Sequence, residues 1–136
     1  MIGIVIVAHG DLGKELLRSA ELICGKQDRV VTLGLQANDA IEALPSRIAE
    51  AIKSLNDVDG VLVLVDLFGG SPCNAALRYL AESDVECISG VNLPMLLEIL
   101  MQREGMEVRE LATHAIRAGR EGIQDMGTLL RQQLRK

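Results

Sequence analysis

Apolar residues fall in four short runs separated by stretches of helical length. Ile2 to Val7, Val30 to Leu35, Gly60 to Val65 and Val85 to Ser89 are rich in valine and isoleucine, and the first and third hold no polar side chain. A run without polar alternation fits a strand covered on both faces, as in a parallel sheet. Between the runs the period changes. Leu12, Leu16, Leu17, Ala20 and Ile23 recur at helical spacing, with Asp11 placed to cap the start and Gly25 to stop the end. Ile41, Leu44, Ile48, Ala51, Ile52 and Leu55 do the same after Asp39, and Pro45 disturbs the first turns. Ser71-Pro72 predicts a third helix to about Ala81, because serine caps free N–H groups and proline pre-sets the first turn. Asn92-Leu93-Pro94 opens a fourth through about Arg103. Val108 to Arg120 reads as a fifth, with Leu111, Ala115 and Ala118 inward and Gly119 and Gly122 breaking it.

The alternation predicts an α/β fold, an open doubly wound parallel sheet in the order 2-1-3-4 with helices on both faces. Its 136 residues suit one domain, read here as 1–130 followed by a basic C-terminal tail, 131–136. In that order the first and third strands are neighbours, and the winding direction changes between them. Ligands of such sheets bind at the carboxyl ends of the strands flanking that switch.

Two loops leave the sheet there. Ala8-His9-Gly10-Asp11 follows the first strand, and Asp66-Leu67-Phe68-Gly69-Gly70-Ser71-Pro72 follows the third. A neutral imidazole is a good nucleophile near neutral pH, and a carboxylate on its second nitrogen fixes the tautomer and stabilises the imidazolium that forms. Asp66 is placed to do that for His9. Gly69 and Gly70 allow close backbone approach, the following helix start offers N–H groups, and Ser71 adds a hydroxyl. The chemistry predicted is uptake of a phosphoryl group on His9. It needs neither metal nor cofactor when the donor is itself a phosphohistidine. Taken singly, each part has a plainer reading: a polar loop histidine, a turn-capping aspartate, a strand-to-helix connection. Their convergence at one crevice is what favours a site. His114, mid-helix beside Thr113, reads as structural or solvated.

Composition narrows the classes. Phe68 and Tyr79 are the only aromatic residues, which argues against ring-stacking sites for single-stranded nucleic acid or flavin. The net charge is −5, and it falls to −8 without Arg131, Arg135 and Lys136. An acidic body suits a basic protein partner and not a phosphate backbone. Cys24, Cys73 and Cys87 show neither zinc spacing nor a disulfide framework. No apolar run approaches the ~18 residues of a membrane span, so a cytoplasmic protein is expected.

Four segments, in order and spanning nearly the whole chain, resemble the IIA component of the mannose-class (mannose/fructose/sorbose) sugar phosphotransferase system. They are Ile4-Val5-Ile6-Val7-Ala8-His9-Gly10, Asp66 to Pro72 with Asn74, Gly90-Val91-Asn92-Leu93-Pro94-Met95-Leu96, and Gly119-Arg120-Glu121-Gly122. The resemblance implies that His9 accepts a phosphoryl group through Nε2 from the phosphocarrier HPr. His9 then passes it to a histidine of a IIB component, which serves the IIC and IID membrane components. It also implies Asp66 on the other ring nitrogen, and Phe68, Asn92, Pro94 and Met95 as rim and partner surface. A homodimer is implied too, exchanging an antiparallel edge strand near Gly122 to Met126. Cys73 stands where the family often carries an aromatic residue. With no IIB domain following, IIB is expected to be a separate polypeptide. A relative in the dihydroxyacetone kinase system also phosphorylates a histidine after the first strand, but the double glycine looks more like the sugar class.

Rival classes fail at particular residues. A receiver-type signalling domain would phosphorylate Asp66, but it needs two acidic residues after the first strand and a lysine near a fifth. Gly10-Asp11-Leu12-Gly13-Lys14 lacks the upstream glycine of a phosphate loop, and Glu15 follows the lysine. A flavodoxin-like carrier lacks its hydroxyl-rich loop. A purely regulatory binding module would keep its partner without His9 chemistry.

Overall fold

Four parallel strands form one sheet in the expected order, β2-β1-β3-β4. They are β1 (Gly3–His9), β2 (Val30–Leu35), β3 (Val61–Val65) and β4 (Val85–Ser89). The computed structural model describes residues 1–76 and 84–135. Among the described residues there are six helices: α1 (Leu12–Cys24), α2 (Leu44–Ser54), α3 (Ser71–Ala76), α4 (Leu93–Gln102), α5 (Val108–Glu121) and α6 (Met126–Leu134).

Strand side chains alternate between two faces, and both faces are covered. Ile2, Ile4, Ile6, Leu62, Leu64 and Ile88 pack under residues of α1, α4 and α5. Val5, Val7, Val61, Val63 and Val65 pack under α2 and α3. Each such side chain contributes roughly 1.5–3 kcal/mol when fully buried, so β1 and β3 form the stiffest part of the fold. Val7 pairs with Val65, so the residues that follow these two strands emerge side by side.

Arg103 is a buried charge, 2% exposed, at the opposite end of the sheet. Its guanidinium donates to the carbonyls of Ile2, Asp28 and Arg29 and to Gln27 Oε1. It ties the end of α4 to the start of β1 and the loop before β2. Burial holds its pKa below the ordinary arginine value.

The structure departs from the sequence expectations in several places. Asp39 does not cap a helix. It accepts from the Gln36 N–H and faces Arg47, and a 3-10 turn (Ile41–Ala43) precedes α2. Pro45 lies within the first two positions of α2, where its missing donor costs least. Asp11 makes no capping bond to α1 and instead accepts from Gln36 Nε2. Leu12 and Ile23, placed at inward spacing, are largely exposed. The expected continuation of the third helix to Ala81, and Tyr79 with it, lies outside the described residues.

The carboxyl end differs most. α5 runs through Gly119, and both expected breakers serve close packing. A Cβ on Gly119 would stand 2.9 Å from Met95 Cε, and one on Gly122 would stand 2.4 Å from Pro94 Cγ. No antiparallel strand forms near Gly122 to Met126 among the described residues. Asp125 instead accepts from the Thr128 N–H and caps α6. Residues 131–134, read as tail, are helix. An isolated edge segment has no ladder to join within one chain, whereas a capped turn satisfies its own N–H groups.

Candidate functional site

His9 is the last residue of β1, and Asp66 is the first residue after β3. Asp66 Oδ2 accepts two hydrogen bonds from His9, one from the main-chain N–H at 2.9 Å and one from ring Nδ1 at 2.8 Å. An ionised carboxylate only accepts, so Nδ1 carries the ring proton and Nε2 keeps its lone pair. The carboxylate is sunk and the ring is not: the Asp66 side chain is 8% exposed and that of His9 is 49%. Burial disfavours the charged form of Asp66. The two hydrogen bonds from His9, with attraction to the ring when it is protonated, outweigh that cost and hold the carboxyl below its usual value. Asp66 Oδ1 is buried with no hydrogen-bond donor, so the charge is directed at one partner, the imidazole.

The glycine loop closes the other side of the ring. A Cβ on Gly70 would lie 3.3 Å from His9 Cε1. Nε2, next to Cε1, is the outward atom beside this loop. Gly69 has φ +86°, a left-handed conformation that favours glycine. The first bond of α3 runs from the Asn74 N–H to the Gly70 carbonyl. Among the described residues the N–H groups of Gly69, Gly70, Ser71 and Cys73 have no partner, and neither has the Ser71 hydroxyl. A half-exposed nucleophilic nitrogen therefore stands next to uncommitted donors, which is the equipment for receiving an oxyanion.

The family model for "PTS system fructose IIA component" matches residues 3–116. The chain belongs to this IIA family. It is 40% identical over 124 residues to the PTS system mannose-specific EIIAB component of Escherichia coli (strain K12), covering 90% of this chain. It spans 38% of the length of that relative. It is 36% identical over 112 residues to the PTS system fructose-specific EIIA component of Bacillus subtilis (strain 168), covering 82% of this chain and 77% of the relative. The crystal structure of phosphotransferase system component EIIA from Streptococcus agalactiae superposes with a TM-score of 0.86 at 34% identity. That match covers 94% of this chain and 99% of that one.

The rim residues of this IIA chain divide into two groups. Phe68 stands 79% exposed beside Leu67, free to meet a partner. Met95 is buried, so its expected place on a docking surface is replaced by one in the core, where α5 passes over it. Asn92 is committed as well: Oδ1 accepts from the Met95 N–H and its amide donates to the Gly119 carbonyl. Pro94 is half-buried against Gly122. The Gly90 and Val91 N–H groups donate to the Val65 carbonyl at 2.9 and 3.1 Å. The Gly90-to-Met95 segment thus braces the end of β3, next to Asp66.

Gly34 was not singled out from the sequence, yet it positions His9. The Gly10 N–H donates to the Leu35 carbonyl, and a Cβ on Gly34 would lie 2.2 Å from the Gly10 carbonyl oxygen. The His9 turn can lie against the end of β2 only because Gly34 has no side chain. The signal available was a lone glycine inside a β-branched run, which marks close backbone approach. Cys73 is buried beneath the loop. Burial pushes the thiol of Cys87 up to about 11, with Cys73 and Glu86 adding to the shift.

Proposed function

We propose that this chain is a histidine phosphocarrier of a sugar phosphotransferase system. His9 takes a phosphoryl group from phospho-HPr and gives it to a IIB component, which serves the IIC and IID membrane components. The observation that carries the reading is the Nδ1-to-Asp66 bond at 2.8 Å with Nε2 left outward. The Nε2 lone pair attacks phosphorus, and the P–N bond of the donor breaks with its electron pair returning to the donor imidazole. The Nδ1 proton stays in place, and the new positive charge on the ring lies against Asp66. The N–H groups of Gly69 and Gly70 and the Ser71 hydroxyl receive the phosphoryl oxygens. Transfer to IIB repeats the step with His9 as leaving group.

Three features support a protein as the substrate. The ring is half exposed. A polar recess of about 480 Å³ between α1, β2 and α2 borders Gly10, but neither His9 nor Asp66 lines it. Phe68 and Leu67 offer exposed apolar contact beside the ring. A receiver-like reading is disfavoured because the Asp66 carboxylate is sunk, with one oxygen on His9 and the other buried. The reading also carries a homodimer in which residues 122–126 pair with the open edge of β4 in a second copy. Support for it comes from the edge position of β4 in the sheet and the exposure of Ile123 beside that edge.

Labelling from phosphoenolpyruvate through enzyme I and HPr tests the function. The chain takes up one phosphoryl group, lost in acid and kept in alkali, and His9→Ala takes up none while keeping its fold. Label retained in His9→Ala, or a bond destroyed by alkali and hydroxylamine, overturns the proposal.

A further inference from the structure

Two of the segments that carry the family resemblance, Gly90 to Leu96 and Gly119 to Gly122, meet each other, and no step of the proposed transfer uses their contact. That contact is built for close approach. The Asn92 amide donates to the Gly119 carbonyl at 3.0 Å, and Asn92 Oδ1 accepts from the Met95 N–H at 3.0 Å. A Cβ on Gly119 would stand 2.9 Å from Met95 Cε and 3.4 Å from Asn92 Oδ1, and one on Gly122 would stand 2.4 Å from Pro94 Cγ. One side chain thus commits its acceptor to the first turn of α4 and its donor to the last turn of α5. Among the described residues the buried Gly119 carbonyl has no other donor.

The end of β3 gives this tie a consequence. Val65 is the last residue of the strand, and its carbonyl accepts from the N–H groups of both Gly90 and Val91, at 2.9 and 3.1 Å. That carbonyl lies in the same planar peptide unit as the Asp66 N–H. Holding it fixes the plane from which Asp66 departs, and only φ and the side-chain torsions of Asp66 then separate that plane from Oδ2. Oδ2 in turn meets the His9 N–H at 2.9 Å and Nδ1 at 2.8 Å. The turn that grips Val65 is not stiff by itself, because Gly90 has φ +81°, a conformation glycine enters and leaves freely. Both N–H groups stay on one oxygen because the chain is anchored at the very next residue, Asn92.

We propose that Asn92 is a positioning residue for phosphoryl transfer. Its amide, clamped on Gly119, holds the Gly90-Val91 turn against the Val65 carbonyl and so keeps Asp66 Oδ2 on Nδ1 of His9. The proposal rests on the phosphocarrier reading and deepens it. It gives Gly119 and Gly122 a common reason, the clearance that lets α5 reach the start of α4. The segment exchanged in the proposed homodimer begins at Gly122, beyond the Asn92 bond, so the clamp lies within one protomer and exchange leaves it intact.

Asn92→Ser tests this, because serine keeps an oxygen able to cap α4 and removes the amide donor. Two quantities are read: single-turnover transfer over a range of phospho-HPr concentrations, and the 15N signals of the His9 imidazole in the unphosphorylated chain. The maximum rate falls about tenfold, while the phospho-HPr concentration giving half of it stays within about twofold. The wild-type ring shows the Nδ1–H form, and in the variant the two nitrogen signals draw together as the proton is shared between both positions. Gly119→Ala, which pushes Met95 and Asn92 away from α5, gives the same pattern and carries the test should Asn92→Ser fail to fold. Arg103→Ala loses stability at the opposite end of the sheet and leaves rate and signals as in wild type. Wild-type rate and signals in Asn92→Ser overturn the proposal. So does a raised half-saturating concentration at an unchanged maximum rate, which would make Asn92 a partner contact. So does Arg103→Ala reproducing the Asn92→Ser pattern, which would reduce the effect to lost stability. Failure of the phosphocarrier reading shows separately, as label uptake that does not depend on His9, and the 15N comparison needs no phosphoryl donor.

Discussion

Replacing Asp66 by asparagine removes a charge and almost no volume, so its effect isolates what the carboxylate does to the ring. Oδ2 accepts two bonds from His9 while Oδ1 is buried without a donor. Asparagine can sit in two ways. With its oxygen in the Oδ2 position both His9 bonds survive, but they become neutral, and an NH2 group replaces Oδ1 with no acceptor. With the amide turned over, NH2 faces the ring, Nδ1 becomes the acceptor and the proton moves to Nε2, which can no longer attack. The first arrangement loses the difference between a charged and a neutral hydrogen bond, about 1–1.5 kcal/mol. It also loses attraction to the imidazolium, trimmed by water at the half-exposed ring. Together with the fraction of molecules in the second arrangement, transfer from phospho-HPr should slow by about 10- to 100-fold. Single-turnover rapid quench with labelled phospho-HPr reads that rate. A value within about threefold of wild type would refute the orienting role.

Linkage gives the same substitution a second readout. The His9 bonds hold the Asp66 carboxyl below its ordinary value despite burial. A depressed carboxyl contributes stability that is fully present above the unfolded value of about 3.9 and is lost as pH falls through the folded one. The stability advantage of wild type over Asp66→Asn should therefore shrink on acidification below ~4, as read by urea denaturation across that range. A constant gap would mean that the carboxylate is not what the ring stabilises.

Two further outcomes follow from backbone placement. Gly34→Ala puts a Cβ against the Gly10 carbonyl, a main-chain atom that no rotamer change can move. It should cost about 1–3 kcal/mol in urea denaturation and slow transfer by displacing His9; wild-type values in both would remove its positioning role. Arg103→Ala strands the carbonyls of Ile2 and Asp28, while that of Arg29 keeps the Ile4 N–H, and should cost about 2–4 kcal/mol. Its transfer rate below the melting range should match wild type, since the residue lies at the far end of the sheet. A slowed rate there would contradict this separation of fold from site.

Most of the architecture was legible because β3, and β1 as far as Ala8, are buried on both faces and so carry no polar residue. Strand order then placed His9 beside Asp66 without any knowledge of contacts. What escaped is what depends on three-dimensional approach. Gly34 looks like a weak point in a strand until the Gly10 carbonyl is seen over it. The empty Oδ1 of Asp66 has no sequence signature at all. Met95 is a different failure. Met95, Leu96, Ile99 and Leu100 repeat at helical spacing and are buried, so its inward position was readable, but the family resemblance of the Asn92-Leu93-Pro94-Met95 turn placed it on the rim. In α6 the Asp125-to-Thr128 cap and the leucine spacing were visible too. They were outweighed by Gly122 and by an expected strand whose partner edge belongs to a second copy.

On the phosphocarrier proposal, the division of labour between the two side chains explains the need for a protein partner. A phosphoryl group on Nε2 would project from the surface, because Asp66 anchors the inner nitrogen and Gly70 crowds Cε1. The chain alone offers it a few main-chain N–H groups and one hydroxyl, with water on the remaining sides. That arrangement can hold the group but cannot enclose it. Enclosure strengthens every charge interaction at the moment of transfer and keeps water from competing as acceptor. The missing wall must come from whatever brings the second histidine. Burying Asp66 while leaving His9 half exposed fixes the ring from behind and leaves it open in front, as transfer from one proposed partner to another requires.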